Sequence, residues 1–163
     1  MSPINDERWS NAVDALLAAK SLLLLGHVSP DGDALGSALA VGLALRDLPG
    51  SRKVHVSFGD DPFVVPANLA KLPGLELLLP ADEIVTGIEA DASSAPDIVA
   101  TFDASSADRL GVLRAVGEHA PTLLAVDHHA SYDGFGSMEL VDVRAPATAV
   151  IADELIRRLG AAL

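Results

Sequence analysis

Aspartates and histidines with the chemistry of metal ligands fall in three separate stretches of the chain. They are His27, Asp31 and Asp33 in GHVSPDGD, Asp103 at the end of DIVATFD, and Asp127, His128 and His129 at the end of TLLAVDHH. Carboxylate and imidazole ligands suit Mn²⁺ or Mg²⁺, with Co²⁺ as a further alternative. A group of this size can hold two ions, which activate water and clamp a phosphoryl group. These residue types therefore predict metal-assisted hydrolysis of phosphoesters.

Each of these residues also has an ordinary structural use. Asp33 can be the N-cap of a following helix, and Asp103 can cap the end of a strand. A histidine such as His27 is more often a hydrogen-bonded core residue than a ligand. The adjacent pair His128 and His129 is harder to explain, because two imidazoles side by side have little structural use. Two further histidines are assigned to structure: His55 and His119.

The elements that must position these residues follow from the hydrophobic pattern. Nearly continuous apolar runs predict strands at 22–28, 53–59, 97–103 and 122–129, with a short fifth at 138–142. Helices are predicted at 5–19, from Asp33 through Leu45, just before Pro73, at 108–119 and at 147–159. Strands that alternate with helices indicate a mostly parallel sheet covered on both faces. We therefore predict one α/β domain over residues 1–163, with three α/β/α layers and four to five strands.

This architecture brings the three stretches together. The carboxyl ends of the strands in an open parallel sheet lie along one edge, and ligands bind there at the switch in strand order. The first, third and fourth predicted strands lead directly into the three stretches. Clustered carboxylates repel one another unless they are protonated or bridged by cations. The sequence therefore predicts a metal centre at this edge of the sheet.

The composition narrows the range of partners. Eleven basic and 23 acidic residues give a net charge of −12, which argues against stable binding of duplex nucleic acid by phosphate neutralisation. Improved solubility is the alternative explanation of the acidic charge. No apolar run approaches the roughly 18 to 20 residues of a membrane span. The first residues, MSPINDERWS, lack the apolar core of a secretory signal, so a cytoplasmic location without membrane association is predicted.

The motifs themselves resemble those of a known family. GHVSPDGDALGSALAVGLAL, FDASSADRLG and AVDHHAS are similar, in this order, to the three motifs of the DHH phosphoesterases, a RecJ-like superfamily. The resemblance extends from about Trp9 to about Leu159. Within the family, the leading histidine, the DGD pair and the DDPF and NLAKLPG segments look most like the NrnA-type oligoribonucleases. Proteins of that type degrade very short oligoribonucleotides and 3′-phosphoadenosine 5′-phosphate, and some act on cyclic dinucleotides.

The resemblance implies roles for the individual residues. Two Mn²⁺ ions are expected, one on His27 and Asp31, the other on Asp33 and His128, with Asp103 bridging both. By the same resemblance, His129 would face the substrate phosphate and Asp127 would orient the histidines. Three further residues match family positions, with helix packing or capping as an equal alternative: Ser37, Arg109 and Gly111.

Two departures from the family pattern set further expectations. Family members continue with a metal-binding aspartate in a DTG-like motif and with a separate domain that binds the substrate, so this chain is expected to be an N-terminal catalytic domain that is incomplete at its C-terminus. Asp142 matches a different family position, and of the family's usual residues in 144–150 only Thr148 persists. A pyrophosphatase and a catalytically inactive metal- or nucleotide-binding module remain alternatives. A homodimer is left open as well.

Overall fold

The computed structural model describes residues 4–161, which are arranged around one five-stranded sheet. The strands are Ser21–Gly26 (β1), Lys53–Phe58 (β2), Ile98–Phe102 (β3), Thr122–Asp127 (β4) and Met138–Val141 (β5). Their spatial order is β2-β1-β3-β4-β5, and every neighbouring pair is parallel. The four predicted strands and the short fifth are thereby confirmed, each within one or two residues at its ends.

Within the described residues, five α-helices cover the sheet. They are Asp6–Ala18 (α1), Gly32–Asp47 (α2), Ala81–Ala90 (α3), Arg114–Glu118 (α4) and Thr148–Arg158 (α5). The predicted helices at 5–19 and 147–159 are confirmed. The short helix before Pro73 is wrong, because that segment forms turns followed by a 3₁₀ helix at Leu75–Leu77. No helix in residues 4–161 is long and apolar enough to cross a membrane.

The leucines of β1 show why the domain has three layers. Leu22 and Leu24 pack into the core formed with α1, α2 and α5, whereas Leu23 and Leu25 pack into the core formed with α3 and the segment after β3. Successive side chains of a strand point to opposite faces, so an unbroken apolar run supplies both cores. Burying each leucine contributes roughly 1.5–3 kcal/mol of transfer free energy. The observed layers confirm the predicted α/β/α architecture.

The start of α2 differs from the prediction. Asp31 is its N-cap, and its Oδ1 accepts the backbone N–H groups of Asp33 and Ala34 at 2.9 and 3.0 Å. The prediction that Asp33 caps this helix is therefore wrong. The Asp33 carboxylate instead accepts the backbone N–H groups of Thr148 and Ala149 at 2.9 and 2.8 Å, at the start of α5. It satisfies two of the donors that every helix leaves free at its N-terminus.

The side on which successive strands are added changes in the middle of the sheet. From β1 the chain first adds β2 on one side and then crosses back to add β3, β4 and β5 in sequence on the other. The switch in strand order therefore lies between β1 and β3. In sheets of this kind the crevice beyond the carboxyl ends at the switch is where ligands bind.

Gly59 and Gly111 allow the loop after β2 and the segment after β3 to pack closely against each other. The backbone N–H of Val112 donates to the carbonyl of Gly59 at 3.1 Å. A Cβ at Gly59 would lie 1.9 Å from the carbonyl oxygen of Leu110. Gly111 has φ 54° and ψ −132°, and it interrupts what was predicted as one helix over 108–119. The segment is instead a 3₁₀ helix at Ala107–Leu113 followed by the short α4.

This close approach makes the glycine at position 59 sensitive to substitution. We expect Gly59→Ala to lower the free energy of unfolding by at least about 2 kcal/mol, because the new methyl group collides with a backbone oxygen that cannot move independently. Gly87→Ala is the matched control: Gly87 lies inside α3 with open space around it, so alanine there should raise stability by about 0.5–1 kcal/mol. Urea denaturation of both variants checks this. Equal stability of Gly59→Ala and the wild type would contradict the packing described.

Candidate metal centre

Side chains from the ends of β1, β3 and β4 meet at the switch in strand order. His27 directly follows β1, Asp103 follows β3, and His128 follows β4. The Nε2 atom of His27 lies 3.7 Å from Oδ2 of Asp103, and Nε2 of His128 lies 3.5 Å from Oδ1 of the same carboxylate. The two oxygens of Asp103 therefore face different histidines, which is the arrangement of a carboxylate placed between two binding positions.

Asp103 is held in this position by strong constraints. Its side chain is buried and its φ of 63° lies in the left-handed region, which aspartate tolerates better than most residues. Its Oδ1 accepts a hydrogen bond from Thr148 Oγ1 at 2.7 Å. Burial raises the pKa of Asp103, the hydrogen bond from Thr148 opposes this, and the nearby Asp33 raises the pKa further. A buried carboxylate beside other carboxylates is stabilised by a bound cation.

The first group consists of His27, Asp31 and Asp103, whose ligand atoms all lie within 4.8 Å of one another. Nδ1 of His27 is 2.7 Å from the carbonyl oxygen of Val28. When Nδ1–H donates to that oxygen, the lone pair of Nε2 is directed at the two carboxylates. Asp31 Oδ1 is 4.0 Å from this nitrogen. The group thus presents one imidazole nitrogen and carboxylate oxygens to a common point.

The second group consists of Asp103, His128 and His129, whose ligand atoms also all lie within 4.8 Å of one another. Nδ1 of His128 lies 3.1 Å from the carbonyl oxygen of Ala145, again leaving Nε2 free to face the centre. Asp33 Oδ2 lies 3.9 Å from His128 Nε2. However, both oxygens of Asp33 already accept backbone N–H groups of α5. The assignment of Asp33 to the second ion stays a prediction.

His129 is held by the carboxylate that precedes it. Its Nδ1 lies 2.7 Å from Oδ1 of Asp127. This hydrogen bond raises the pKa of His129, partial burial opposes the rise, and the charge of Asp127 adds to it. Asp127 is fully buried, and its Oδ2 has no hydrogen-bond partner among the described residues. Such a contact is what the predicted orienting role of Asp127 requires.

Some contributors were not recognised from the sequence. Thr148 was noted only for its match to a family position, although its hydroxyl bonds directly to Asp103. Asp60 follows β2, and its two oxygens accept the backbone N–H of Ser29 at 3.0 and 2.9 Å. Ser29 has φ 51°, so this contact stabilises an unfavourable turn between His27 and Asp31. The sequence signal that could have indicated this contact is the position of Asp60 in a turn-forming segment directly after a strand next to β1.

Three other residues named in the sequence analysis lie outside the cluster. His55 is on β2, where partial burial, and then the charge of Lys53, lower its pKa. His119 ends α4 and contacts the carbonyl of Ala115. Ser37 is buried in α2, and its hydroxyl lacks a partner among the described residues. None of these three is in the groups of potential ligands found in the described part of the chain.

The residues present fit divalent metal ions. Two imidazole nitrogens, from His27 and His128, are free to act as ligands because the other nitrogen of each ring faces a backbone carbonyl. The remaining donors are carboxylate oxygens, and the chain has no cysteine. This donor set suits Mn²⁺ and Mg²⁺ and lacks the thiolates of structural zinc sites.

Comparison with known proteins agrees with the fold and the motifs. A sequence model described as "DHH family, N-terminal domain" matches residues 21–162. Among solved structures, the chain is similar to an exopolyphosphatase-related protein from Bacteroides fragilis, with a TM-score of 0.81 and 23% sequence identity. The similarity covers 98% of this chain and 46% of that protein. At this identity the likeness shows a shared fold.

Proposed function

The chain belongs to the DHH family, and on that premise we propose that it is a metal-dependent phosphoesterase whose active centre is the cluster around Asp103. One observation carries the proposal: the two oxygens of Asp103 face different histidines, Oδ2 lying 3.7 Å from Nε2 of His27 and Oδ1 lying 3.5 Å from Nε2 of His128. A carboxylate shared between two groups of ligands is the requirement of a two-metal hydrolase.

The proposed mechanism gives each ligand a defined part. His27 and Asp31 would hold one Mn²⁺ ion, Asp33 and His128 would hold the other, and Asp103 would be shared between them. When bound, the two ions supply an activated water molecule and neutralise charge on the phosphoryl group. The carbonyls of Val28 and Ala145 fix the two imidazoles in the tautomer that leaves Nε2 available; they act through hydrogen bonds to Nδ1.

His129 and Asp127 act on the substrate side of the centre. The Asp127 carboxylate accepts the Nδ1–H of His129 and stabilises the charged imidazolium. The side chain of His129 is 41% exposed, so its Nε2–H is available to a phosphate oxygen. We propose that His129 binds the phosphoryl group and stabilises negative charge that develops during hydrolysis.

The proposed substrates are short oligoribonucleotides, linear or cyclic dinucleotides, or 3′-phosphoadenosine 5′-phosphate. The resemblance of the motif segments to the NrnA-type branch supports this class. The net charge of −12 also disfavours a long nucleic acid held along the surface and favours a small phosphorylated ligand at the metal ions.

A metal-addition assay tests the proposed function. Metal-free protein receives Mn²⁺, Mg²⁺ or Co²⁺ and is assayed with bis(p-nitrophenyl) phosphate, a diadenylate, 3′-phosphoadenosine 5′-phosphate and inorganic pyrophosphate. We expect hydrolysis of the activated diester only with added metal, and a preference for the nucleotides over pyrophosphate. Absence of hydrolysis with every metal would contradict the proposal and favour an inactive binding module. Preference for pyrophosphate would move the chain to the pyrophosphatase class.

Removal of the hydroxyl at position 148 should weaken metal binding without disturbing the fold. We expect Thr148→Val to lower Mn²⁺ affinity about tenfold, because the variant keeps the shape of the side chain but loses the hydrogen bond to Asp103. Calorimetric titration of metal-free protein measures the change. Thr148→Ser retains the hydroxyl and should bind Mn²⁺ like the wild type. If Thr148→Val binds Mn²⁺ as tightly as Thr148→Ser and the wild type, the hydroxyl of Thr148 does not support the bridging carboxylate.

A further inference from the structure

The arginine side chains of residues 4–161 are almost all engaged by oxygen atoms of the protein. Arg52 donates to the backbone carbonyls of Leu17 and Pro49. The guanidinium of Arg109 differs, because its polar contact is with Nδ1 of His27, at 3.0 Å. The others form ion pairs with carboxylates: Arg8, Arg46, Arg114, Arg144, Arg157 and Arg158. Within the described residues, Arg109 is therefore the arginine whose charge has neither a carboxylate nor a carbonyl partner, and it lies at the metal centre.

The contact between Arg109 and His27 cannot persist when His27 acts as a ligand. Nδ1 of His27 is 2.7 Å from the carbonyl of Val28 and 3.0 Å from Nη2 of Arg109. A single ring nitrogen cannot donate to the carbonyl and accept from the guanidinium at the same time. Use of Nε2 by a metal ion leaves the proton on Nδ1, where it donates to Val28. Arg109 then loses its acceptor, and its N–H groups are available to another one.

The backbone of Arg109 is fixed although its side chain is exposed. Its carbonyl accepts the backbone N–H of Val28 at 2.8 Å, which joins it to the exit of β1. Gly111 packs so closely that a Cβ there would be 2.3 Å from the carbonyl oxygen of Gly59. One contact is made by Arg109 itself and the other by Gly111, two residues further along the chain. Together they fix the backbone of Arg109 beside the centre, while the residue is exposed to solvent. Only the side chain has to move to meet a ligand, which lowers the entropic cost of binding.

We infer that Arg109 binds the phosphate group of the substrate next to the metal ions, an inference that rests on the function proposed above. The planar guanidinium can donate two parallel hydrogen bonds to a phosphate, which makes arginine well suited to this task. A positively charged residue is needed there because the chain has a net charge of −12 and the centre contains several carboxylates, all of which repel a phosphate. Arg109 supplies a positive charge from the protein at the place where phosphate arrives.

The test separates phosphate binding from metal binding. Wild type, Arg109→Gln and Arg114→Gln are each saturated with Mn²⁺, and inorganic phosphate is titrated calorimetrically; Mn²⁺ titrations of the metal-free proteins are run in parallel. Arg114→Gln is the matched control, because it removes the same charge from the same segment but from an arginine already paired with Asp108 and Glu118. We expect Arg109→Gln to bind phosphate about tenfold more weakly, with unchanged Mn²⁺ affinity and melting temperature. The control should match the wild type in all three measurements.

Two results would overturn the inference. Unchanged phosphate affinity of Arg109→Gln would show that the guanidinium does not meet the anion. An equal loss of Mn²⁺ and phosphate affinity would show that Arg109 acts by holding His27 instead. In either case, hydrolysis of the activated diester by the wild type with Mn²⁺ would leave the proposed phosphoesterase function intact. A wild type that binds no phosphate and hydrolyses no ester would overturn that function together with this inference.

Discussion

Replacing Asp103 with asparagine is expected to abolish Mn²⁺ binding and to reduce metal-dependent hydrolysis by roughly a thousandfold or more. Asparagine keeps the volume of the side chain and tolerates the left-handed φ of 63° as well as aspartate does. It removes the carboxylate that, among residues 4–161, faces both His27 and His128. The loss should therefore come from missing ligand charge and not from a rearranged backbone.

The same variant should also affect thermal stability, and the effect should differ between the metal-free and the Mn²⁺-bound protein. Without metal, Asp103→Asn should melt at the same temperature as the wild type or higher, because the buried negative charge and its repulsion by Asp33 disappear. With excess Mn²⁺, the wild type should gain stability through binding to the native state, whereas the variant should gain little.

Asp142→Asn is the control for the Asp103 variant, since it removes a carboxylate that pairs with Arg144 instead of facing the cluster. It should keep Mn²⁺ affinity. Melting curves and calorimetric titrations with and without Mn²⁺ measure these effects. Wild-type Mn²⁺ affinity in Asp103→Asn would refute the bridging role.

Replacing His129 with glutamine is expected to lower kcat by about 10²- to 10³-fold while Mn²⁺ affinity is retained. The variant removes the imidazole whose pKa the hydrogen bond with Asp127 raises, and glutamine supplies a neutral donor in its place. Steady-state kinetics with the activated diester, together with Mn²⁺ titration, measure both properties. His119→Gln removes an exposed histidine at the end of α4 and should leave both unchanged.

The Mn²⁺ titration of the His129 variant also tests whether His129 is itself a metal ligand. His129 lies within 4.8 Å of the donor atoms of Asp103 and His128, while Asp33 is engaged by the backbone of α5. If His129→Gln weakens Mn²⁺ binding as strongly as it lowers kcat, His129 is a ligand and its proposed role toward the substrate is wrong. Retained affinity would support the proposed division of roles.

The parts of the fold that follow from local patterns were predictable from the sequence. The run Leu22 to Leu25 supplies both faces of a strand, and polar residues directly after such runs must lie at the carboxyl edge of the sheet. The meeting of His27, Asp103 and His128 at one place follows from this rule without knowledge of the strand order. The distances then confirmed that these residues lie close together.

The parts that depend on contacts between distant segments were not predictable in the same way. Asp31 and Asp33 are both acceptable N-cap residues, and only the position of α5 decides that Asp33 turns away from its own helix. The hydrogen bond from Thr148 to Asp103 likewise joins residues that no periodic pattern relates. α3 was missed because its ten residues, ADEIVTGIEA, include a threonine and a glycine and bury only a narrow face.

The bonds from Asp33 and Asp103 to the first turn of α5 also bear on how the centre is assembled during translation. A chain leaves the ribosome from its N-terminus, so both aspartates emerge long before Thr148 and Ala149, which donate to them. Until α5 docks, neither carboxylate has its partner, and the nascent chain presents only separate parts of the site. Correct geometry therefore arises only in the step that joins α5 to the segments after β1 and β3. A ribosome-bound intermediate that lacks α5 would expose these acids without the arrangement needed to retain a cation.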